Sequence, residues 1–588
     1  MRGNIGMDME KSRIEDVYER YLYVLKALVG SDAKPREGIF NAVKEILDGK
    51  TIILSAPPGY GKTIITYTLG YLTAKDLGPF APHVIHVLPL RSIIDDCYLR
   101  LFNYGKEPKI PSLSHNNVAR QMLSAHESPW LQKSLIFTTI DTFTYCSLRL
   151  PPAESRKILR KRTLGHGLYT KSAILSSFIV FDEIQLFLEE NLRLASVFSS
   201  LLKWLTTMRL PLLVMSATLP KRIELFIKAQ CHMPPITLRY GKDFKDQNFD
   251  EERLSKNLNT SVISGELNEI VENGMTLADS YSKVLIVANT VERCKNIAYM
   301  LKKHGYEPLV LHGKIARKDR DERLKKLTSS TWIAVTTQVI EAGVDISADV
   351  LLSDAAPPCS LIQRGGRVLR HSRKSQQEGK IIIIKDKKAI SGSKAYGVYN
   401  KKLVKASLQF LEKYGDILTW HLPYVDDKKL IGYENFIEKV YETSRFDISF
   451  SENVRDNVLK FLLSLSPSPN EVQKLIENMG GTITRDSPLI LGLINKEGLV
   501  PGQSVDFSDL QDLFEKWAVT LTLFDFEKLL KQNILVLVPL NDSNDRFKVR
   551  NYIDVARKGE IVGQILRGNI SAVIIPEELY NDEYGLIL

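Results

Sequence analysis

Residues 51–70 read TIILSAPPGYGKTIITYTLG: an apolar, β-branched run, a turn rich in proline and glycine, then a stretch able to form a helix. Strand, tight loop and helix in that order open a parallel α/β sheet, because a crossover must carry the chain back before the next parallel strand can start. Similar apolar runs follow downstream at HVIHVLPL (83–90), SLIFTTI (134–140), FIVFDEI (178–184), LLVMSATL (212–219) and PITLRY (235–240). Longer mixed segments separate them, which is the pattern of strands buried on both faces by helices. One such helix is expected over 190–208, where Leu194, Val197, Phe198, Leu201, Leu202 and Leu205 recur at helical spacing.

The alternation pauses at GKDFKDQNFDEERLSKN (241–257), polar and mixed in charge, which suits a connection between two lobes. It resumes with VLIVAN (284–289), PLVLHG (308–313), WIAVTTQ (332–338), VLLSDAA (350–356) and IIIIK (381–385). The expected architecture is therefore α/β, with a first lobe over 1–240, a second over 258–386, and an α+β accessory region over 398–588 holding a helix near 398–414 and strands near 534–540, 547–554 and 571–575. At roughly 150 residues per domain, 588 residues suit three or four such units.

Composition narrows the class without naming a function. With 79 Lys and Arg against 69 Asp and Glu the chain carries a formal charge of +10, which suits a polyanionic partner. No apolar run approaches the ~18 residues of a membrane span. The N-terminus, MRGNIGMDMEKSRIEDVYERYLYVLKAL, has no apolar signal core, so a cytoplasmic location is expected. Five cysteines lie far apart with no C-x-x-C pair, the pattern of packed thiols and not of a disulfide framework or zinc site.

The chemistry starts in the loop APPGYGKT (56–63). Gly59 and Gly61 let the backbone curl until its N–H groups face a phosphate; Lys62 can reach the β and γ oxygens, and Thr63 can offer its hydroxyl to Mg²⁺. The bound species implied are ATP and Mg²⁺, with Pro58, Gly59, Tyr60, Gly61, Lys62 and Thr63 as the cradle. The strand FIVF ends in Asp182 and Glu183, at the carboxyl edge where ligand sites of such sheets lie. Asp182 suits the metal and Glu183 the attacking water, although an isolated pair of this kind is more often a solvated turn. In QRGGRVLR (363–370), Arg367 and Arg370 are three apart, so on a helix they share a face and can meet a γ-phosphate held by the first lobe.

The ordered set APPGYGKT, TTIDTF (138–143), FDEIQ (181–185), SATLP (216–220), ANT (288–290), VTTQVIEAGVD (335–345) and QRGGRVLR resembles the superfamily-two helicases, across residues 30–386. Their fold, two tandem RecA-like lobes with parallel sheets, is thereby implied. The resemblance makes Ser216 and Thr218 couplers of hydrolysis to motion, and places Gly343, Asp345 and Gln363 against nucleotide or water where the lobes meet. Arg91, Thr138, Thr139 and Thr142 of the first lobe and Asn289, Thr290, His312 and Thr336 of the second are implied to face a nucleic-acid backbone. Residues of these types at strand ends serve equally as structural caps.

Within the superfamily the chain is similar to the CRISPR-associated helicase of type I interference systems. That likeness implies single-stranded DNA as the track, 3′–5′ movement, and a CRISPR RNA-guided surveillance complex as partner. An HD-type nuclease is expected as a separate subunit. Gln185 stands where relatives carry His or Asp, and is expected to hydrogen-bond across the lobe interface. No glutamine occurs in KPREGIFNAVKE (34–45), where relatives read adenine. The basic run SRKILRKRT (155–163) suits either a strand path or a solvated helix. An RNA helicase or DNA-repair helicase on the same lobes, and a non-enzymatic scaffold that recruits a nuclease, are the competing functions.

Overall fold

The computed structural model describes residues 2–588 except 77–80, 104–106, 123–124, 160–164, 190–191, 342–343, 372–376, 465–470, 472–473, 476–477, 480–481, 485–488, 533, 541–545, 556–560 and 567–568. The second half of the basic run at 155–163, with Arg160, Lys161 and Arg162, lies outside them, as does Gly343.

All six apolar runs of the first lobe are strands of one eight-stranded sheet, ordered Ile236–Arg239, Thr51–Ser55, Leu212–Ser216, Ser177–Asp182, His83–Leu88, Leu135–Thr139, Val118–Met122, Ala125–His126. Only the terminal hairpin pair is antiparallel. Thr51–Ser55, Leu212–Ser216 and Ser177–Asp182 are direct neighbours, with Ser55 opposite Ser216 and Asp182 opposite Met215. Their carboxyl ends thus bring the glycine loop, the acid pair and the SAT segment to one edge.

The second lobe is a six-stranded parallel sheet in the order Lys256–Ser264, Gln377–Lys385, Val350–Asp354, Lys283–Val287, Trp332–Thr336, Leu309–Leu311. The stretch at 241–257 is more than a polar connection. Asp246 caps a helix, Gln247–Leu254, by accepting from Phe249 N at 3.0 Å, and the edge strand begins at Lys256. Its two phenylalanines explain the order: Phe244 and Phe249 are buried against the glycine loop.

The C-terminal region joins the lobes. Helix Lys401–Tyr414, capped by the Asn400 side chain, packs on the edge strand of lobe two and on Tyr433–Ser444. Tyr433–Ser444 in turn packs on Pro358–Gly365, and Glu452–Leu463 lies along Leu192–Thr207 of lobe one. A single apolar cluster runs through both lobes and these helices. Beyond them a mixed six-stranded sheet contains the three anticipated strands, observed as Leu535–Pro539, Arg546–Asn551 and Ala572–Ile575.

Close packing at Gly365 ties this region to the second lobe. A Cβ there would sit 2.4 Å from the Trp420 ring, whose Nε1 donates to Thr260 Oγ1 at 2.9 Å. Gly365→Ala is expected to lower stability by about 1–3 kcal/mol through overpacking, measured as a lower denaturant midpoint.

Candidate nucleotide site between the lobes

The glycine loop is shaped from its own sequence and held from behind. Gly59 and Gly61 adopt φ of +79° and +96°, which side-chain-bearing residues rarely take. Ala56 N donates to Ser216 O at 3.2 Å, and Lys62 Nζ donates to Ala56 O at 3.0 Å. The first loop position works through its backbone, so alanine there in place of glycine leaves the cradle intact. Tyr60 turns away from the cavity and is buried among Tyr240, Phe244 and Phe249, with ring centroids 5.1, 5.7 and 5.4 Å away. Its role is to anchor the loop, while Pro58, Gly59, Gly61, Lys62 and Thr63 line the cavity.

That cavity, about 580 Å³, is walled by both lobes. Asp182 and Glu183 enter from the first; Asp345, Gln363, Arg367 and Arg370 enter from the second. Glu183 holds a φ of +49°, an uncommon conformation for a residue with a side chain. Burial and the adjacent Asp182 raise its pKa above the ordinary carboxylate value, in the direction a general base needs.

Two amides converge on Glu183 Oε2: Gln185 Nε2 donates at 2.8 Å and Gln363 Nε2 at 3.0 Å. Ser216 Oγ donates to Gln185 Oε1 at 2.6 Å and accepts from Thr218 N at 3.1 Å. Gln185 therefore keeps its bonds within lobe one, contrary to expectation, and Gln363 makes the crossing through Glu183. A Gln185→Ala protein should bind ATP within about twofold of the parent yet lose about tenfold in strand-stimulated turnover, because one hydrogen bond to a charged group is worth ~1.5–3 kcal/mol.

Arg367 and Arg370 do line one cavity, but not as one helix face. The helix Pro358–Gly365 ends before them, and Leu369 takes a φ of +52° in the turn that follows. Arg367 donates to Ile340 O at 3.0 Å and Glu341 O at 2.7 Å; burial lowers its pKa to about 9. Arg370 Nε lies 3.0 Å from Asp345 Oδ1, and Arg100 of lobe one lies 3.8 Å from Asp345 Oδ2. Sequence reading missed Arg100, Asp96, Arg253 and His371 in this wall.

The residues assigned to the nucleic-acid backbone mostly bond inward. Thr138 Oγ1 donates to Gln121 O, Thr139 caps helix Ile140–Ser147 by accepting from Thr142 N, and Thr290 caps Val291–Lys303. Asn289 accepts from Arg364 and donates to Ala355 O; Thr336 is fully buried. Arg91 donates to Thr520 of the C-terminal sheet at 2.7 Å. His312 lies under the C-terminal hairpin, with Nε2 3.1 Å from Tyr584 O, and burial lowers its pKa to about 3.

Comparison with known proteins agrees with this geometry. The model for the DEAD/DEAH box helicase matches residues 40–226, and the model for the C-terminal part of the CRISPR-associated nuclease/helicase Cas3 matches 280–373. The CRISPR-associated nuclease/helicase Cas3 of Methanothermobacter thermautotrophicus is 25% identical over 451 residues, 74% of this chain and 51% of that protein. The chain thus carries a DEAD/DEAH box helicase match followed by a Cas3 C-terminal match, and it is similar to the Cas3-type helicases. It spans about half the length of that relative. The crystal structure of T. fusca Cas3–AMPPNP superposes on this chain with a TM-score of 0.60 at 15% identity, covering 96% of this chain and 71% of that one. A chain from a CRISPR RNA-guided surveillance complex, pre-nicking, gives a TM-score of 0.58 at 16% identity, covering 94% and 70%. Both likenesses support two RecA-like lobes with an accessory region.

Proposed function

We propose that the chain hydrolyses ATP with Mg²⁺ to move 3′ to 5′ along single-stranded DNA and unwind duplex, serving CRISPR type I interference in the cytoplasm. The observation that carries this is the Glu183–Gln363 hydrogen bond: the residue placed to activate water is held by the opposite lobe, so chemistry and lobe closure are joined. Lys62 and the loop amides bind the β and γ phosphates, and Arg367 and Arg370 meet charge that develops on the γ-phosphoryl group as it leaves. Glu183 takes the proton of the attacking water. Thr63 and Asp182 offer hard oxygen ligands on one wall of the cavity, a fit for Mg²⁺, which when bound neutralises phosphate charge. Opening after hydrolysis releases the Gln363 contact and advances one lobe along the strand.

On the resemblance to the CRISPR-associated helicase, strand cleavage is assigned here to a partner HD-type nuclease. No described helix is long and apolar enough to cross a membrane. The strand path we propose runs past Arg91 and Thr290 beneath the C-terminal sheet; the buried threonines, Asn289 and His312 shape its walls.

Steady-state ATPase with Mg²⁺ tests the proposal, comparing no nucleic acid, single-stranded DNA, duplex DNA and RNA. Stimulation strongest with single-stranded DNA supports a DNA motor. Stronger stimulation by RNA replaces the track, and absence of turnover with every strand overturns the motor altogether.

A further inference from the structure

A fourth guanidinium, beside those of Arg100, Arg367 and Arg370, reaches the nucleotide cavity from outside both lobes. Arg253, in the last turn of helix Gln247–Leu254, lines that cavity with 7% of its side chain exposed. It stacks on Phe249 with the guanidinium carbon 4.9 Å from the ring centre. Nη2 lies 3.1 Å from where a Cβ on Gly59 would be, directly against the phosphate loop.

Its counter-charge is lacking. Among the described residues one carboxylate oxygen comes within 4.0 Å, that of Glu252, whose side chain is 43% exposed. Arg253 Nε is buried without a hydrogen-bond partner. Its neighbours are cations: Arg370 and Arg36 oppose its charge, and burial with this repulsion lowers its pKa to about 10. Lys256 beside it is lowered to about 8 by burial and by Arg253, and buried His421 is kept neutral. Packing alone does not explain such a cluster, since an apolar side chain of the same length would fill the space without the cost of burying like charges. The one hydrogen bond Arg253 does donate, to Arg370 O at 3.1 Å, is duplicated by Lys256 Nζ at 3.2 Å.

We propose that Arg253 is a nucleotide-binding residue that contacts the phosphate tail of ATP from the connection between the lobes. The inference rests on reading the loop at 56–63 as an ATP site. It gives the connection a purpose: the helix that carries Arg253 runs directly into the edge strand Lys256–Ser264 of lobe two, so phosphate occupancy is sensed where the lobes are joined.

The test compares the parent chain with Arg253→Met and Arg253→Lys, measuring dissociation constants for ATP and for inorganic tripolyphosphate with Mg²⁺, and the melting temperature without nucleotide. Arg253→Met should bind both about tenfold to hundredfold more weakly, the range of a charge-assisted hydrogen bond. Its nucleotide-free melting temperature should equal or exceed the parent's, because an uncompensated buried charge has gone, and Arg253→Lys should recover part of the affinity. Affinities within twofold of the parent overturn the proposal. So does weaker binding accompanied by a lower nucleotide-free melting temperature, or failure of Arg253→Met to fold, either of which marks a structural residue. A parent chain that binds no ATP refutes the ATP site itself, a result distinct from a parent that binds and a variant that matches it.

Discussion

Glu183→Gln retains ATP affinity near that of the parent and hydrolyses it about a hundred- to ten-thousandfold more slowly, the range general-base catalysis contributes. The substitution preserves shape and leaves an amide oxygen able to accept from Gln185 and Gln363, so the bridge between lobes survives while the base is lost. Lys62→Ala differs in kind, because removing the ammonium at the phosphates weakens binding itself. Single-turnover hydrolysis with protein in excess, set beside the ATP dissociation constant, separates the two. Hydrolysis by Glu183→Gln within tenfold of the parent would remove Glu183 from the chemistry and leave its lobe-bridging contact as its role. The same variant should hold the closed state longest, because opening in this scheme follows hydrolysis.

Fold class was legible because both lobes bury their central strands on two faces, which writes continuous apolar runs such as TIILS and FIVF into the chain. Strands whose polar residues are satisfied by tertiary bonds left no such trace. Val118–Met122 reads VARQM, yet all five residues are buried, with Arg120 ion-paired to Asp95 at 2.9 Å and Gln121 accepting from Ser128 N at 3.2 Å. The edge strand Lys256–Ser264 alternates buried and exposed residues and is polar at its start, so it left no apolar run, and its first two residues passed for connection. The loop and the acid pair were readable because each is contiguous in sequence. The Ser216–Gln185–Glu183–Gln363 chain was not, since its links are 31, 2 and 180 residues apart and exist only once the sheets align and the lobes close. Arg367 and Arg370 line one cavity, but the helix Pro358–Gly365 ends before them, so the turn that follows it, and not helical periodicity, sets their place.

Arg364 shows how a motif residue can serve stability where its neighbours serve chemistry. It is fully buried, and its guanidinium donates to Glu341 Oε1 at 2.8 Å, Ser353 Oγ at 2.9 Å, Asn289 Oδ1 at 2.9 Å and Tyr399 Oη at 2.9 Å. These partners lie on strand Val350–Asp354, just beyond strand Lys283–Val287, at the end of the turn Gln338–Ile340 and in the C-terminal region, so one side chain ties them together. Arg364→Met is expected to cost about 3–5 kcal/mol, because it strands the Glu341 carboxylate in the interior without its partner. The double variant Arg364→Met, Glu341→Gln should regain part of that loss, since the stranded charge and not the missing contact carries most of the cost. Denaturant midpoints for the parent, both single variants and the double variant form the cycle. The backbone carbonyls of Ile340 and Glu341 position Arg367, so loss of Arg364 also lowers turnover, but as a consequence of loosened structure that low temperature should partly restore. A fully stable Arg364→Met protein with abolished hydrolysis would contradict this division, and would require that Arg364 leave its buried bonds to reach the nucleotide.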